Sequence, residues 1–227
     1  KPIENRFEAR RRAREAAEDA VAVLRSEGYY ANTVEAEVTE TEPAQPVVKV
    51  APGQRFTIQD PKVEWIAPEP APGVQIAGEA VLGLANGQAG RAADVLGAEG
   101  RIVAAVRKRG YADVTFGDRQ VIVDHADHSV RPTFRIVSGE LVLLDGIDLV
   151  TPGRTNPTWL RGLAPWKAGE PYDPDDVGEL ERRLLDTGVY DSVTVALAGK
   201  EKATAEGLRP VIVSISDRKR RTLELGA

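Results

Sequence analysis

Hydrophobic and polar positions change their spacing in the same order three times along the chain. Apolar residues first recur three and four positions apart, which is typical of an amphipathic helix. After a glycine they alternate with polar residues, which is typical of a half-buried strand. The separating glycines are Gly28, Gly110 and Gly188, about 80 residues apart. The sequence therefore predicts an array of small, similar modules, which favours a binding scaffold over an enzyme with a deep cleft.

Three long helices are predicted, and each ends at one of these glycines. The helical pattern covers residues 5–27, 92–109 and 173–187. Asp173 is a favourable N-cap and Pro174 suits the first helical position. Glycine accepts a positive φ, so we expect that conformation just past each helix end. Shorter helical turns are predicted around 80–84 and within 156–163, whereas the proline-rich residues 67–73 are predicted to be loop.

The alternating pattern predicts the strands and the fold class. Strands are predicted at 30–38, 46–50, 56–66 with a break near Pro61, 112–124, 130–138, 141–149, 193–197 and 211–215. A complete repeat then reads strand, short helix, long helix, strand, strand, which predicts an α+β module with a three-stranded mixed sheet covered by two helices. The predicted modules are 1–52, which lacks the opening strand and short helix, then 53–138 and 139–218. Residues 219–227 are predicted to begin a linker.

Composition narrows the range of partners. The net charge is −5, which argues against nucleic acid as the main partner. There are no cysteines, so disulfides and thiolate metal sites are excluded. No apolar run approaches the roughly 20 residues of a membrane-spanning helix. The chain begins at Lys1 without a signal peptide, and we expect a fragment or a processed form.

The residues that carry chemistry form no catalytic motif, so no enzyme activity, cofactor or metal site is predicted. His125 and His128 flank two residues of a predicted hairpin turn. A metal site there is possible by residue type, but a solvated turn is the favoured interpretation. The run Arg10–Arg12 is either a partner surface or, more commonly for such runs, the solvated face of a helix.

The order of elements and the helix-ending Gly-Tyr and Gly-Val junctions resemble POTRA domains, the periplasmic modules of outer-membrane assembly and secretion proteins. The third module carries the more specific similarity. Its segment 163–174, from Leu163-Ala164-Pro165-Trp166 to Tyr172-Asp173-Pro174, resembles the last POTRA domain of TamA-like proteins. Residues 216–227 resemble the passage into the first strand of a β-barrel. The barrel itself is absent from the sequence.

This resemblance implies a periplasmic region of a Gram-negative outer-membrane protein that helps to insert or secrete other outer-membrane proteins, such as autotransporters. It implies three partners: a TamB-like protein anchored in the inner membrane, unfolded outer-membrane protein clients, and the chain's own C-terminal barrel. It also implies a barrel-proximal position for Trp166, Arg218 and Arg221. Independently of the barrel, a packed Trp166 is favoured over an exposed anchor.

POTRA-like modules place their second strand at a sheet edge, where free backbone groups can pair with an added strand. The candidate edges are 30–38, 112–116 and 192–197. The candidate partner-binding residues on them are Val34, Glu35, Val114, Thr115, Val193, Thr194 and Val195. We expect the backbone N–H of Thr194 to be free for such pairing.

Other functions remain open from the sequence. A BamA-like arm or a two-partner secretion transporter arm is the alternative within the same class, and module count separates them. Three modules favour the TamA type, five the BamA type and two the secretion type. A periplasmic enzyme would need a polar cleft for which the sequence offers no residues. A cell-division scaffold with a single such module is disfavoured by the repeat.

Overall fold

The computed structural model describes residues 5–150 and 153–218. They divide into two compact units that do not follow the predicted module boundaries, which stay a prediction. One unit comprises Lys1–Ile66, Gly78–Val103 and Phe116–Ile136, and the other comprises Ala67–Ala77, Ala104–Thr115 and Val137–Ala227. We call them the first and the second unit. Among the described helices, none combines the length and the apolar character that crossing a membrane requires.

The first unit begins with the first predicted long helix and its strand pair. Helix α1, Arg6–Ser26, is N-capped by Asn5, whose side chain accepts a hydrogen bond from the Glu8 amide at 2.9 Å. Its buried face includes Ala9 and Ala13. Strand β1, Thr33–Val38, pairs antiparallel with β2, Pro46–Ala51, in a two-stranded sheet. The helix packs against both strands.

The second repeat forms a sheet around one central strand, β7, Ser129–Val137. The strands that pair with it are β3, Thr57–Ile58, β4, Lys62–Ile66, β5, Thr115–Phe116, and β6, Gln120–Asp124. Strand β3 is parallel to β7 and β6 is antiparallel to it. The predicted three-stranded sheet is therefore present, with each outer strand broken into two pieces.

The break between β3 and β4 lies opposite a proline in the central strand. The amide of Gln59 donates to the carbonyl of Val130 at 2.9 Å, so the backbone groups of Val130 face β3. Because strand residues alternate in direction, Pro132 faces the same side two residues later. Proline has no N–H to donate, and the outer strand is interrupted there, at 59–61, where Asp60 has φ +48°. The interrupted strand thus removes the cost of a proline in the middle of a sheet.

Two helices accompany this sheet, α2, Pro72–Ala80, and α3, Ala92–Arg107. The prediction for α2 was wrong. The helix begins at Pro72, inside the segment 67–73 that we expected to be loop, and it ends at Ala80, where a helical turn was expected to begin. Pro72 is compatible with a first helical position, which explains the early start. Gly78 is needed for packing, because a Cβ there would lie 2.9 Å from the Trp65 ring.

The buried side chains of the first unit come mainly from α3 and the sheet. They are Phe56, Ile58, Val95, Ala98, Ile102, Val130, Phe134 and Ile136. The hairpin turn before β7 also contacts this core. The rings of His125 and His128 meet the Phe56 ring edge to face, with centroids 5.1 and 5.0 Å apart. The two histidines are therefore ring contacts of Phe56 as well as turn residues.

The second unit contains a sheet of three strands in the order β8, β10, β9. Strand β8 is Leu144–Leu149, β9 is Tyr190–Leu197 and β10 is Arg209–Asp217. The central strand β10 is parallel to β8 and antiparallel to β9, which makes the sheet mixed as predicted. A short 3-10 turn, Lys200–Lys202, lies between β9 and β10.

Two helices lie between the strands of this sheet in the chain, and the longer one begins at the predicted Asp173-Pro174 signal. Helix α4 is Pro157–Arg161 and α5 is Pro174–Asp186. The side chain of Asp173 caps α5 by accepting a hydrogen bond from the Asp175 amide at 2.9 Å. The core that these elements share is Leu144, Ile147, Leu160, Trp166, Val177, Leu180, Leu184, Tyr190, Val211, Val213 and Ile215. Trp166 is only 6% exposed, and its indole N–H donates to the Asp145 carbonyl at 2.8 Å. The tryptophan is packed, as the favoured interpretation held.

All three helix-ending glycines have a positive φ, as expected: +94° for Gly28, +98° for Gly110 and +66° for Gly188. Gly28 and Gly110 each make the same kind of backbone contact with the repeat that follows. The carbonyl of Gly28 accepts a hydrogen bond from the Phe56 amide, and the carbonyl of Gly110 accepts one from the Val142 amide, each at 2.8 Å. Each helix end is thus joined by backbone atoms to the start of the next repeat.

We call these two contacts the glycine joints. A buried arginine strengthens the one at Gly110. Arg209 has a side chain only 9% exposed, and its guanidinium donates to the Asp113 carboxylate at 2.7 Å. The same guanidinium donates twice to the Ala198 carbonyl, at 3.1 and 2.7 Å. Lys200 lies 3.4 Å from the same carboxylate. Asp113 follows Gly110 closely in the chain, so this cluster fixes the segment after α3 to the β9–β10 hairpin.

The helix-ending glycines, including those of the glycine joints, yield a graded prediction. We expect Gly188→Val to lower the free energy of unfolding by about 1–2 kcal/mol, because a β-branched residue resists positive φ. Gly110→Val should cost more, since a Cβ at Gly110 would lie 2.5 Å from Leu141 and 3.2 Å from Pro171, whereas no atom lies within 4 Å at Gly188. Thermal unfolding of both variants checks this, with Gly178→Ala in open helical space as the control. Unchanged midpoints would refute the requirement.

The Arg209 cluster yields a second prediction. Asp113→Asn removes the charge that balances a buried guanidinium, so we expect a loss of about 1–3 kcal/mol in unfolding free energy. The matched control is Asp148→Asn, an exposed carboxylate in β8 of the same unit. Urea denaturation measures both. Equal midpoints for the two variants would show that the buried pair contributes nothing to stability.

Candidate strand-edge binding site

Strand β9 lies at an edge of the second unit's sheet, paired with β10 on one side. An antiparallel strand directs the backbone groups of every second residue to its neighbour and those of the others away from it. The amide of Ala198 donates to the Pro210 carbonyl at 2.9 Å, which fixes the phase of this alternation. In the register that joins Ser214 to Thr194 and Val213 to Val195, the outward backbone groups belong to Val193, Val195 and Leu197.

The candidate residues on β9 therefore differ in what they offer. The backbone N–H and C=O of Thr194 pair with Ser214. The expectation that the Thr194 amide is free was therefore wrong. Val193 and Val195 direct theirs away from the sheet. Their side chains are half-buried against the core, while the Thr194 side chain is exposed on the opposite face. The edge thus presents backbone groups beside an apolar surface.

Strand β1 shows the same arrangement in the first unit. The amide of Thr39 donates to the Gln45 carbonyl at 2.9 Å, which continues the register that joins Glu35 to Lys49 and Ala36 to Val48. By alternation, the outward backbone groups belong to Val34, Ala36 and Val38, and those of Glu35 face β2. Of the two candidates here, Val34 has free backbone groups and Glu35 does not.

The far face of the β1–β2 sheet is polar. Lys49 pairs with Glu37 at 2.6 Å, and this hydrogen bond is the main cause that raises the pKa of Lys49 above its ordinary value. Glu37 lies on the opposite face from Ala36 and Val38, because successive strand residues alternate. Val34 and Val38 are half-buried whereas Glu35 and Glu37 are exposed, so the face that carries Val34, Ala36 and Val38 is the one that meets α1.

The predicted edge at 112–116 is mostly turn. Only Thr115–Phe116 is strand, and the Val114 amide donates to the Tyr111 carbonyl at 3.2 Å within a turn. Val114 is buried and Thr115 is exposed. The longer piece on this side of β7 is β6, which sequence reasoning did not single out. Phe116, Val121 and Ile122 are exposed there, with Phe116 at 57%, and their apolar character in an alternating segment was the available signal.

Trp166, Arg218 and Arg221, the three residues expected near a barrel, do not share one environment. Trp166 is buried in the core of the second unit. Arg218 is exposed; its guanidinium pairs with Asp191 at 3.2 Å and its amide donates to the Val189 carbonyl at 2.9 Å. Arg221 and the predicted linker at 219–227 lie outside the described residues. A barrel-proximal position stays a prediction for all three.

The two histidines do not assemble a metal site with their neighbours. Across residues 5–150 and 153–218, no group of three or more His, Asp or Glu side chains is placed to hold a metal ion. Nearby, Arg131 pairs with Asp127 and with Asp124, the latter at 3.3 Å. Beside Ser129 and the Arg131 guanidinium, the Asp127 carboxyl has a pKa below its ordinary value. These carboxylates are occupied in the hairpin turn itself.

Comparison with known proteins shows the fold. No family model matches the sequence. The crystal structure of Haemophilus influenzae BamA POTRA3-5 is 17% identical and has a TM-score of 0.58, with 88% of this chain and 80% of that chain covered. The structure of BamA from Haemophilus ducreyi lacking POTRA domains 1-3 is 19% identical with a TM-score of 0.60, over 72% of this chain and 30% of that one. The α+β fold predicted from the repeat is thus confirmed as that of POTRA domains.

Proposed function

We propose that this chain is the POTRA region of an outer-membrane protein assembly or secretion factor, and that it binds extended client segments by pairing them with its edge strands. The observation that carries the proposal is the free edge of β9, where Val193, Val195 and Leu197 direct their backbone groups away from the sheet. Backbone pairing tolerates many sequences, which suits a protein that handles diverse unfolded strands.

The location and the partners belong to the same proposal. A POTRA region of this kind lies at the periplasmic face of the outer membrane of a Gram-negative bacterium. The segment at 163–174 favours a TamA-like factor with a TamB-like partner, whereas the two structures compared above are of BamA. Counting POTRA modules in the full-length gene product separates the two, with three expected for the TamA type and five for the BamA type.

A proline substitution tests edge pairing at β9. Val195→Pro removes an outward N–H and keeps the pairing with β10, so we expect a two- to tenfold loss of affinity for an extended client peptide, about one hydrogen bond. The control is Val195→Ala, which shortens the same half-buried side chain but retains the amide. Binding is followed through the NMR amide signals of Val193 and Leu197, with a ten-residue peptide of alternating apolar and polar residues.

Folding is checked by comparing the thermal unfolding of the proline and alanine variants. If both folded variants bind the peptide with equal affinity, pairing at this edge is excluded. Perturbed signals at β8 with none at β9 would likewise place the binding site elsewhere.

A further inference from the structure

Helix α1 carries three arginines on one side with no partner among the described residues. Arg6, Arg10 and Arg14 are four positions apart, so they lie above one another along the helix. The other two arginines in this half of the helix are engaged: Arg11 with Glu15 at 2.8 Å and Arg12 with Glu8 at 2.7 Å. We call Arg6, Arg10 and Arg14 the arginine stripe.

The arginine stripe lines a groove beside the free edge of β1. The groove has a volume of about 250 Å³ and is formed by Arg6, Arg10, Ala13 and Arg14 of α1 together with Ala36, Glu37 and Val38 of β1. Residues of β2 are not among its lining. Ala36 and Val38 are two of the residues whose backbone groups point away from β2. The groove therefore combines a hydrogen-bonding strand edge with a row of cations.

The charge of the arginine stripe indicates what kind of ligand the groove would bind. Like charges four residues apart on a helix repel one another, and the whole chain has a net charge of −5. The carboxylate of Glu37, the acidic residue of the groove, pairs with Lys49. A guanidinium binds a carboxylate in a fixed, often two-pronged geometry, so three arginines in a row favour a ligand with several carboxylates.

Spacing indicates how those carboxylates would be arranged. Residues four apart on a helix are separated by about 6 Å along its axis. Residues that face the same side of an extended strand are separated by roughly 6.6 Å. An added strand on β1 directs alternate side chains to the face that meets α1, where Ala36 and Val38 lie. Acidic residues at alternate positions would then recur at nearly the spacing of the arginines.

We propose that the groove between α1 and the free edge of β1 binds an extended peptide segment with acidic residues at alternate positions. Backbone groups of the segment pair with Ala36 and Val38, and its carboxylates bind Arg6, Arg10 and Arg14. This inference rests on the proposed function and adds a sequence preference to one edge. The first unit selects acidic strands, whereas no comparable row of unpaired arginines lies along β9 within the part of the chain that the structure describes.

An anionic membrane surface is the competing ligand. Phe7 is 80% exposed and lies near Arg10 and Arg11, as an interfacial anchor would. Arg14 also lines that depression, but so do Glu15 and Glu18, whose carboxylates offset part of its positive charge. All three arginines of the stripe line the groove beside the strand edge, whereas only Arg10 and Arg14 line the depression that holds Phe7, which favours a peptide over a bilayer.

Two peptides and two arginine variants test the preference. The peptides are an acetylated Thr-Glu-Val-Glu-Val-Glu-Thr and the same sequence with glutamine in place of glutamate. We expect the full chain to bind the glutamate peptide more tightly, and Arg10→Gln to remove about three- to tenfold of that affinity. The control is Arg25→Gln, which removes the same charge from the exposed far end of α1. Fluorescence anisotropy of labelled peptides measures the binding of both peptides to the unmodified chain and to each of the two variants.

A third variant tests whether the acidic segment is held as a strand. Ala36→Pro removes an outward N–H without touching an arginine, and it should weaken both peptides relative to Ala36→Ser. Circular dichroism establishes that each variant is folded, and the arginine variants remain decisive if Ala36→Pro is not.

Four outcomes would overturn the inference. Equal effects of Arg10→Gln and Arg25→Gln, or equal affinity for the two peptides, would remove the acidic preference while leaving edge pairing at β9 intact. Binding that depends on Arg10 but not on the Ala36 amide would mean that the acidic ligand is not paired as a strand. Arg10-dependent binding to vesicles of anionic phospholipid, without preference between the peptides, would assign the arginine stripe to a membrane surface. Failure at β9 alone would overturn the proposed function and is measured separately.

Discussion

A backbone hydrogen bond at the end of each of the first two long helices joins the glycine past that helix to the segment that opens the following repeat. The glycine past the helix end adopts a positive φ, turns the chain, and presents its carbonyl to the amide that opens the following repeat. Both partners are main-chain atoms, so the contact needs little from the surrounding side chains except that the turning residue be glycine. At Gly110 the space beside it is filled by Leu141 and Pro171, and the nearby Arg209 cluster adds a charged contact.

The binding capacity of the strand edges also depends on which backbone groups are already hydrogen-bonded. In an antiparallel hairpin, half of the residues of the outer strand are committed to the inner one and half are left over. The uncommitted residues of β1 and β9 are all apolar, and all but the exposed Ala36 have half-buried side chains, so free backbone groups and an apolar border come together. Strand β1 adds cations from α1, which makes two edges of one fold chemically different.

Much of this fold follows from local sequence signals, and the exceptions have physical causes. Asp173, Pro174 and the three glycines mark helix ends through their own conformational preferences, so those boundaries were predictable. The start of α2 was missed because Pro72 is equally compatible with a loop and with a first helical turn. Alternation identified the strands and the POTRA resemblance implied which of them lie at edges, but alternation reports side-chain direction only. The amide of Thr194 was assigned to the wrong side because hydrogen-bond phase depends on the pairing of two strands, which no single strand reveals.

Because Arg209 is buried and the arginine stripe is exposed, their interactions respond differently to ionic strength. The Arg209–Asp113 contact is largely shielded from solvent, and mobile ions screen such pairs weakly. The arginine stripe faces an open groove, where the Debye length of about 8 Å at physiological salt limits its reach to ligands already close to the strand. Dilute buffers would therefore draw acidic chains to α1 from farther away, whereas physiological salt would confine recognition to a docked segment and leave the joint after α3 unchanged.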